Sequence, residues 1–448
     1  MESPNGPSPE YPRRPPRAPG EGSTSSNGDG GGAITADNSR TRGARERGGD
    51  AHETRPYASA APASAAAGAV DVKIGIELPL SGADLPNGEP TLNGVKLALA
   101  QIPVPGFNVT LNVQDDAVNG VHDPQQGAKN IATLVNDTTV MGVVGPFNSN
   151  VAKAEIPIGN AAGLVQCSPA NTNISLTKPE FGAGDLRKTN PDKIAYVRVA
   201  TTDDIQGAAG ADIAYTIVKA RKAFVIDDTE TYGKALSDQF VATFTKLGGT
   251  VIGGSSHGVP KSGQGDFTSL LSLAKKDSPD FVFFGGVTAT GGGLLRKQMV
   301  TAGMGAIPMG GGDGLSDGAA SVKGSFLNLA GDQGDPNTYM TVAATHDIPN
   351  PTKLAADYKA MFGAEPGAYS ASGYACAQVI LEALKNVGGD RAKVRAYVTD
   401  PSHTYDTVLG KFQFDKNGDT TQRIISDYTF DPGTKDWKFV SQKDFGAG

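Results

Sequence analysis

The sequence predicts an α/β protein of two doubly wound lobes, and three observations predict it. From Asp71 onward, short β-type runs alternate with amphipathic helical ones. Several of the β runs are almost continuously apolar, as strands are when helices cover both faces of a parallel sheet. The alternation pauses over a loop-rich stretch from Ser168 to Asp192 and then starts again, giving two α/β units of similar size.

In the first unit, VKIGIEL (72–78) leads through the helical run TLNGVKLALAQI (91–102) to FNVTLNVQ (107–114). PQQGAKNIATLVND (124–137) sets Ala128, Ile131, Ala132, Leu134 and Val135 at helical spacing, and VMGVVG (140–145) returns as a strand. The second unit runs IAYVRV (194–199), a helix over 204–219, KAFVIDD (222–228), a helix over 232–247 and GTVIGGSS (249–256). FTSLLSLAKK (267–276), DFVFFGG (280–286) and GGLLRKQMVTAG (292–303) extend it. After helices at 352–362, 373–387 and 390–399, the strands VLGKFQFD (408–415) and RIISDYTF (423–430) flank Asn417-Gly418, which predicts a closing hairpin.

Residues 1–70 stand apart. They contain no Leu and no Phe, and Pro, Gly, Ser, Ala and Arg dominate, so they cannot bury enough apolar surface to offset the ordering of the backbone. A disordered low-complexity tail is expected there. Its eight Arg balance its eight Asp and Glu, which leaves the net charge of −7 on the folded part. An acidic body argues against nucleic acid as a partner. No apolar run is long enough to span a membrane, and neither a signal peptide nor a lipobox is recognisable. The two cysteines, Cys167 and Cys376, lie far apart in apolar surroundings. Two buried free thiols are the expectation, with a single bridge as the alternative.

The chemistry-bearing motifs are mostly negative. GGVTATGGG (285–293) follows a strand and opens a helix but lacks GxGxxG spacing and GK[ST]. DKNGD (415–419) begins like a calcium loop, but Thr420 and Ser426 stand where Gly and Glu are required. Ser175/Lys178 and Ser272/Lys275 match SxxK without the accompanying SDN or KTG. The five histidines are scattered, and nothing assembles a nucleophile, base and orienting group. No enzyme, cofactor or metal is therefore expected. Small polar residues cluster instead at strand ends: Asn148, Ser149 and Asn150 open a helix, and Ser168, Asn171, Thr172 and Asn173 follow the next strand. Two such loops suit a small anion such as a carboxylate, although ordinary helix capping explains either loop alone.

KIGIELPLSG (73–82), NGVKLA (93–98), QDDAVNGVHDP (114–124), VVGPFNSN (143–150), SPANTN (168–173), IDDTETYG (226–233), GGLLRKQM (292–299) and GGGDG (310–314) occur in this order. Together they resemble the bacterial periplasmic binding proteins for branched-chain amino acids, the solute receptors of ABC importers, over roughly residues 71–440. The resemblance implies a type I periplasmic-binding fold: two Rossmann-like lobes joined by three crossovers, near Val199–Asp203, Thr341–Ala344 and Leu409–Thr421. Lobe one would take 71–200 and 344–409. Lobe two would take 201–343, with 410–448 as its closing hairpin and C-terminus.

By position, the resemblance assigns Ser149 and Thr172 to the ligand carboxylate, helped by the backbone of Ala170 or Asn171. It assigns Asp313 to the α-ammonium group and Tyr232 to an aromatic that closes over the ligand. A Gly-Asp-Gly turn is the alternative for Asp313. Asn87, Phe147 and Val287 are candidates for the pocket wall, with Asn87 and Val287 standing where relatives often carry aromatics. His122 and Asn148 occupy positions of a disulfide found in some relatives, so that bridge is absent. The resemblance thus implies an extracytoplasmic, monomeric receptor that takes an aliphatic amino acid and delivers it to an ABC permease by hinge closure. A receptor for amides, urea or another small polar metabolite is the runner-up. A ligand-sensing regulator or a nucleotide-dependent enzyme on the same topology is the rival from another class.

Overall fold

The computed structural model describes residues 68–261 and 264–446. The expected tail lies outside these residues except for its last three, of which Val70 already pairs with Phe107.

The first sheet is built from β1 (Val70–Leu78), α1 (Leu85–Gln101), β2 (Phe107–Asp115), the short β3 (Ala117–Val118) and β4 (Val121–His122), α2 (Pro124–Asn136), β5 (Val140–Val144), α3 (Ser149–Ala162), β6 (Gln166–Ser168) and β7 (Tyr196–Arg198). Its five strands are parallel in the order β2-β1-β5-β6-β7. Ile74, Ile76, Leu78, Val143 and Val144 are buried, as continuous apolar strands under two helical layers must be. Asp123 caps α2 by accepting from Gln126 N, with Pro124 at the first helical position.

The second sheet follows α4 (Asp203–Asp212) with β8 (Lys222–Asp227), α5 (Thr231–Lys246), β9 (Thr250–Val251), β10 (His257–Gly258), α6 (Thr268–Asp277), β11 (Phe281–Gly285), α7 (Gly292–Thr301), β12 (Met309–Gly311), α8 (Phe326–Ala330) and β13 (Thr338–Val342). The return segment carries α9 (Pro351–Phe362), α10 (Ser370–Val387), α11 (Arg391–Val398), β14 (Tyr405–Thr407) and β15 (Gly410–Phe412), and the chain ends in β16 (Ile424–Asp431) and β17 (Asp436–Asp444). The order is β10-β8-β11-β12-β13-β16-β17, parallel through β13 and antiparallel beyond it. α10 returns to the first sheet and packs on α1 and β5. The approach is close: a Cβ on Gly94 of α1 would stand 2.0 Å from the Ser370 carbonyl oxygen, so only glycine fits.

The architecture is the expected pair of doubly wound lobes with three crossovers. Thr201 lies in the first crossover and binds the other two. Its N–H donates to Ala343 O at 2.8 Å, and its hydroxyl donates to Gln422 O and Ile424 O, each at 3.1 Å.

Several local expectations are corrected. The hairpin across Asn417-Gly418 forms only as a short one: Phe414 pairs antiparallel with Thr420, and Asp415 N–H donates to Asp419 O at 2.7 Å and Thr421 N–H to Gln413 O at 2.9 Å, while 423–430 pairs elsewhere. The turn itself exists, with Asp415 accepting from Asn417 N and Asp419 N. Its outgoing limb docks on β7, where Arg198 N donates to Gly418 O at 3.0 Å. β15 therefore pairs with β14, and β16 pairs with β13 and β17. The strand expected over 249–256 shrinks to Thr250–Val251, because Gly253 and Gly254 turn the chain through positive φ. The free thiols are also overturned. α10 lies over the sheet and brings Cys376 to Cys167 with a Cα–Cα distance of 5.5 Å, and the two are bridged. That bond ties the return segment to β6. Unfolded without reductant, the protein should release no titratable thiol, and the double variant Cys167→Ala/Cys376→Ala should lose about 2–4 kcal/mol in a denaturant titration. Two reactive thiols would restore the free-cysteine expectation.

Candidate functional site

The site is assembled where β5 and β6 end. The loop after β5 delivers Phe147 and Asn148 to the N-terminus of α3, and Ser149 is the first helical residue. The loop after β6 is folded by its own polar side chains. Ser168 Oγ donates to Pro146 O at 2.7 Å and accepts from Asn171 N at 2.9 Å. Asn171 Nδ2 donates to Phe147 O, and the Tyr196 hydroxyl donates to Asn171 Oδ1 at 2.7 Å. The two loops are thereby stapled side by side.

A buried arginine sets the far end of the second loop. Arg198 is fully buried; its Nε donates to Asp419 Oδ1 at 2.7 Å, and its Nη1 donates to Asn173 O at 2.7 Å. Nη2 donates to Thr177 Oγ1 at 2.6 Å. Burial opposes the charge, but Asp419 more than offsets it and holds the guanidinium protonated.

Opposite these loops stand residues of the second sheet. Tyr232 lies in the first turn of α5, and its hydroxyl donates to Asp313 Oδ1 at 2.8 Å. Gly312 and Gly314 make room for that ring: a Cβ on Gly312 would stand 2.3 Å from the Tyr232 hydroxyl. The glycines around Asp313 thus seat a tyrosine. Burial pushes the Asp313 carboxyl up, against the hydrogen bond from Tyr232, and no cation pairs with it among the described residues.

Together these residues enclose a cavity with about 370 Å³ of empty space, part of it continuous with solvent. Ser149, Ala170, Thr172, Tyr232 and Asp313 line it, with Phe147 and Val287 on its wall. Two expected residues do not. The Asn171 backbone N–H, its expected contribution, donates instead to Ser168 Oγ, and Asn87 is buried in α1 outside the lining. Five residues line the cavity beyond those assigned by the resemblance: Asn148, Asn150, Glu230, Gly314 and Tyr369. The first two belong to the strand-end cluster. Tyr369 precedes α10 and packs edge-on against Phe147 with ring centroids 4.8 Å apart. Its hydroxyl donates to Asp313 O at 3.1 Å. Only an aromatic at a helix start signals it in the sequence.

The polar imbalance of the cavity defines its chemistry. The Thr172 hydroxyl is buried beside the buried Asp203 carboxylate. Ser149 and Asn150 open α3, where main-chain N–H groups have no carbonyl within the helix. One wall is therefore rich in donors, and the other holds a buried carboxylate. Among the described residues no group of acidic, His and Cys side chains is arranged for a metal, and no helix is long and apolar enough to cross a membrane.

A family model described as "Periplasmic binding protein" matches residues 71–430. The chain belongs to the periplasmic binding protein family. Its members are solute-binding proteins and not enzymes. The binding protein is 29% identical over 363 residues to an "Amino acid binding protein" of Pseudomonas aeruginosa, covering 80% of this chain and 89% of that one. The crystal structure of the leucine binding protein LivK of Thermotoga maritima is similar with a TM-score of 0.70 and 25% identity, over 83% of this chain and 98% of that one. A solute binding protein of an ABC transporter from Rhodopseudomonas palustris, in complex with 3,4-dihydroxy benzoic acid, shares the fold with a TM-score of 0.66 and 21% identity, over 84% and 97% of the two chains.

Arg198→Met leaves Asp419 buried and unpaired, and should lower stability by about 3–5 kcal/mol in urea unfolding. Adding Asp419→Leu should recover only part of this, because the carbonyls of Asn171 and Asn173 stay without their donor. A cost for Arg198→Met within about 0.5 kcal/mol, as for a surface substitution, would contradict the clamp.

Proposed function

We propose that the binding protein is the receptor of an ABC importer for an aliphatic, branched-chain-like L-amino acid, held in the cleft and delivered to a membrane permease. One observation carries this reading. A buried hydroxyl, Thr172, beside the helix N-terminus at Ser149, and a buried carboxylate without a cation among the described residues, Asp313, line one cavity. A zwitterion fits both. Its carboxylate takes the Ser149 and Thr172 hydroxyls and the N–H groups that open α3. Its ammonium takes Asp313, whose orientation Tyr232 fixes. The side chain lies among Phe147, Tyr369 and Val287. Lobe one is then 71–200 with 344–409, lobe two is 201–343 with 410–448, and closure occurs about the crossovers tied by Thr201. The protein acts as an extracytoplasmic monomer.

The Phe147–Tyr369 pair favours a second reading, an aromatic carboxylate such as the ligand of the Rhodopseudomonas relative. The two readings part at Asp313, since a benzoate has no ammonium. Calorimetric titration of L-leucine, isocaproate (leucine without its ammonium group) and benzoate decides between them. Wild type should prefer L-leucine. Asp313→Asn should cost L-leucine roughly a hundredfold or more in affinity, about 3–5 kcal/mol, and leave isocaproate little changed. Thr172→Val should weaken both acids by roughly ten- to a hundredfold. Benzoate bound more tightly than L-leucine, with Asp313→Asn indifferent, would establish the aromatic reading instead.

A further inference from the structure

One buried cluster beside the cavity is not needed to grip a ligand. The His122 side chain is fully buried, with Nδ1 2.8 Å from Asp84 Oδ2 and Nε2 2.8 Å from Glu230 Oε2. Asp84 lies in the turn after β1 and His122 in β4, both on the first lobe, and the His122 main-chain N–H also donates to Asp84 Oδ2 at 3.1 Å. Glu230 immediately precedes α5 on the second lobe. The ring is therefore a bridge across the cleft.

Both ring nitrogens face carboxylate oxygens. A neutral imidazole has one N–H and one lone pair, so it satisfies one carboxylate and repels the other; only the imidazolium donates to both. The remaining charged groups around the ring are acidic. Asp116 faces it from the end of β2 and Asp228 from the loop before α5, while Asp317 of the second lobe faces Asp84. Asn150 of α3 donates to Glu230 Oε2 at 3.1 Å and adds no charge. No Lys or Arg pairs with Asp84, Glu230, Asp116 or Asp228 among the described residues. The bridge thus holds two acidic surfaces together through one proton.

We propose that His122 is a positioning residue for ligand binding: protonated between Asp84 and Glu230, it latches the closed cleft and makes ligand affinity depend on pH. The proposal rests on the reading of the cleft as a site that closes over its ligand. Opening withdraws Glu230 and leaves the ring with Asp84. The second carboxylate raises the proton affinity of the closed form, so closure takes up a proton over an interval of pH. Burial pushes the His122 ring down, but Asp84 and Glu230 outweigh it and hold the ring well above its usual value. Because the closed form has the higher value, the latch is fully present below the open form's titration and is lost as pH rises through that of the closed form. Affinity therefore falls with rising pH, by up to about tenfold per unit within the interval.

The test uses the full chain and two measurements. Ring resonances of His122, assigned by their absence in His122→Gln, are followed by NMR from about pH 6 to about pH 9 in wild type and Glu230→Gln. L-leucine affinity is measured by calorimetry over the same range. The ring should titrate lower in Glu230→Gln than in wild type, and L-leucine affinity should fall with pH in wild type but stay nearly flat in both variants. Identical titration of the ring with and without Glu230 overturns the latch, as does an equally steep fall of affinity in His122→Gln. If L-leucine binds none of the proteins at any pH, the ligand reading fails, and the ring titration alone decides the latch.

Discussion

The Arg198 guanidinium is the contact on which the shape of the cleft depends. It has no exposure to water, and it spends its donors on a carboxylate in the third crossover, on carbonyls of the loop after β6 and on the Thr177 hydroxyl. An arginine suits this position because its planar fork presents several fixed donors at once, where a lysine presents a point charge. Through it, the ligand-side loop, the last strand of the first sheet and the chain's final passage between lobes become one unit. The same clamp holds the outgoing limb of the short Asn417-Gly418 hairpin against β7. Positioning of the cleft and termination of the first sheet are thus one event.

On that frame the two walls of the cleft are chemically opposite. The first lobe offers hydroxyls and helix N–H groups, and the second offers a carboxylate whose burial is tolerable because Tyr232 donates to it. Polar contacts between the lobes include Tyr369 to the Asp313 carbonyl, Asn173 to the Thr231 carbonyl, Asn150 to Glu230, Lys178 to Asp204 and the His122 bridge. Hydrogen bonds and ion pairs of this kind can exchange for water, which suits an interface that opens and closes. A ligand that supplies both a cation and an anion would add the largest polar contacts in the region.

Much of this is legible in the amino-acid sequence, for a physical reason. Parallel strands buried on both faces must be apolar throughout, so KIGIEL, VMGVV and FVFFG announce themselves, and strand ends followed by Asn, Ser and Thr mark where a doubly wound sheet meets its ligand. Ser149 and Thr172 are local to such ends, whereas Tyr232 and Asp313 are named only through the family resemblance; all four line the cavity. What stays hidden depends on tertiary approach. Tyr369 reaches the cavity because glycine lets α10 press against α1, and Glu230 faces the cavity and His122 only once the lobes meet. The bridge between Cys167 and Cys376 requires the return segment to lie over β6, which no spacing encodes. β17 escapes pattern reading because it is a half-exposed edge whose apolar residues, Trp437, Phe439 and Val440, are outnumbered by polar ones.

On the proposed reading, the hydroxyl side and the carboxylate side of this cavity are two halves of one amino-acid site. The most direct measurement is a crystal structure of the full chain grown with L-leucine. The account predicts the ligand carboxylate within hydrogen-bond distance of Ser149 and Thr172, its ammonium on Asp313, and its side chain between Phe147, Tyr369 and Val287. A cavity left unoccupied at saturating L-leucine, or a ligand with its ammonium turned away from Asp313, would contradict it.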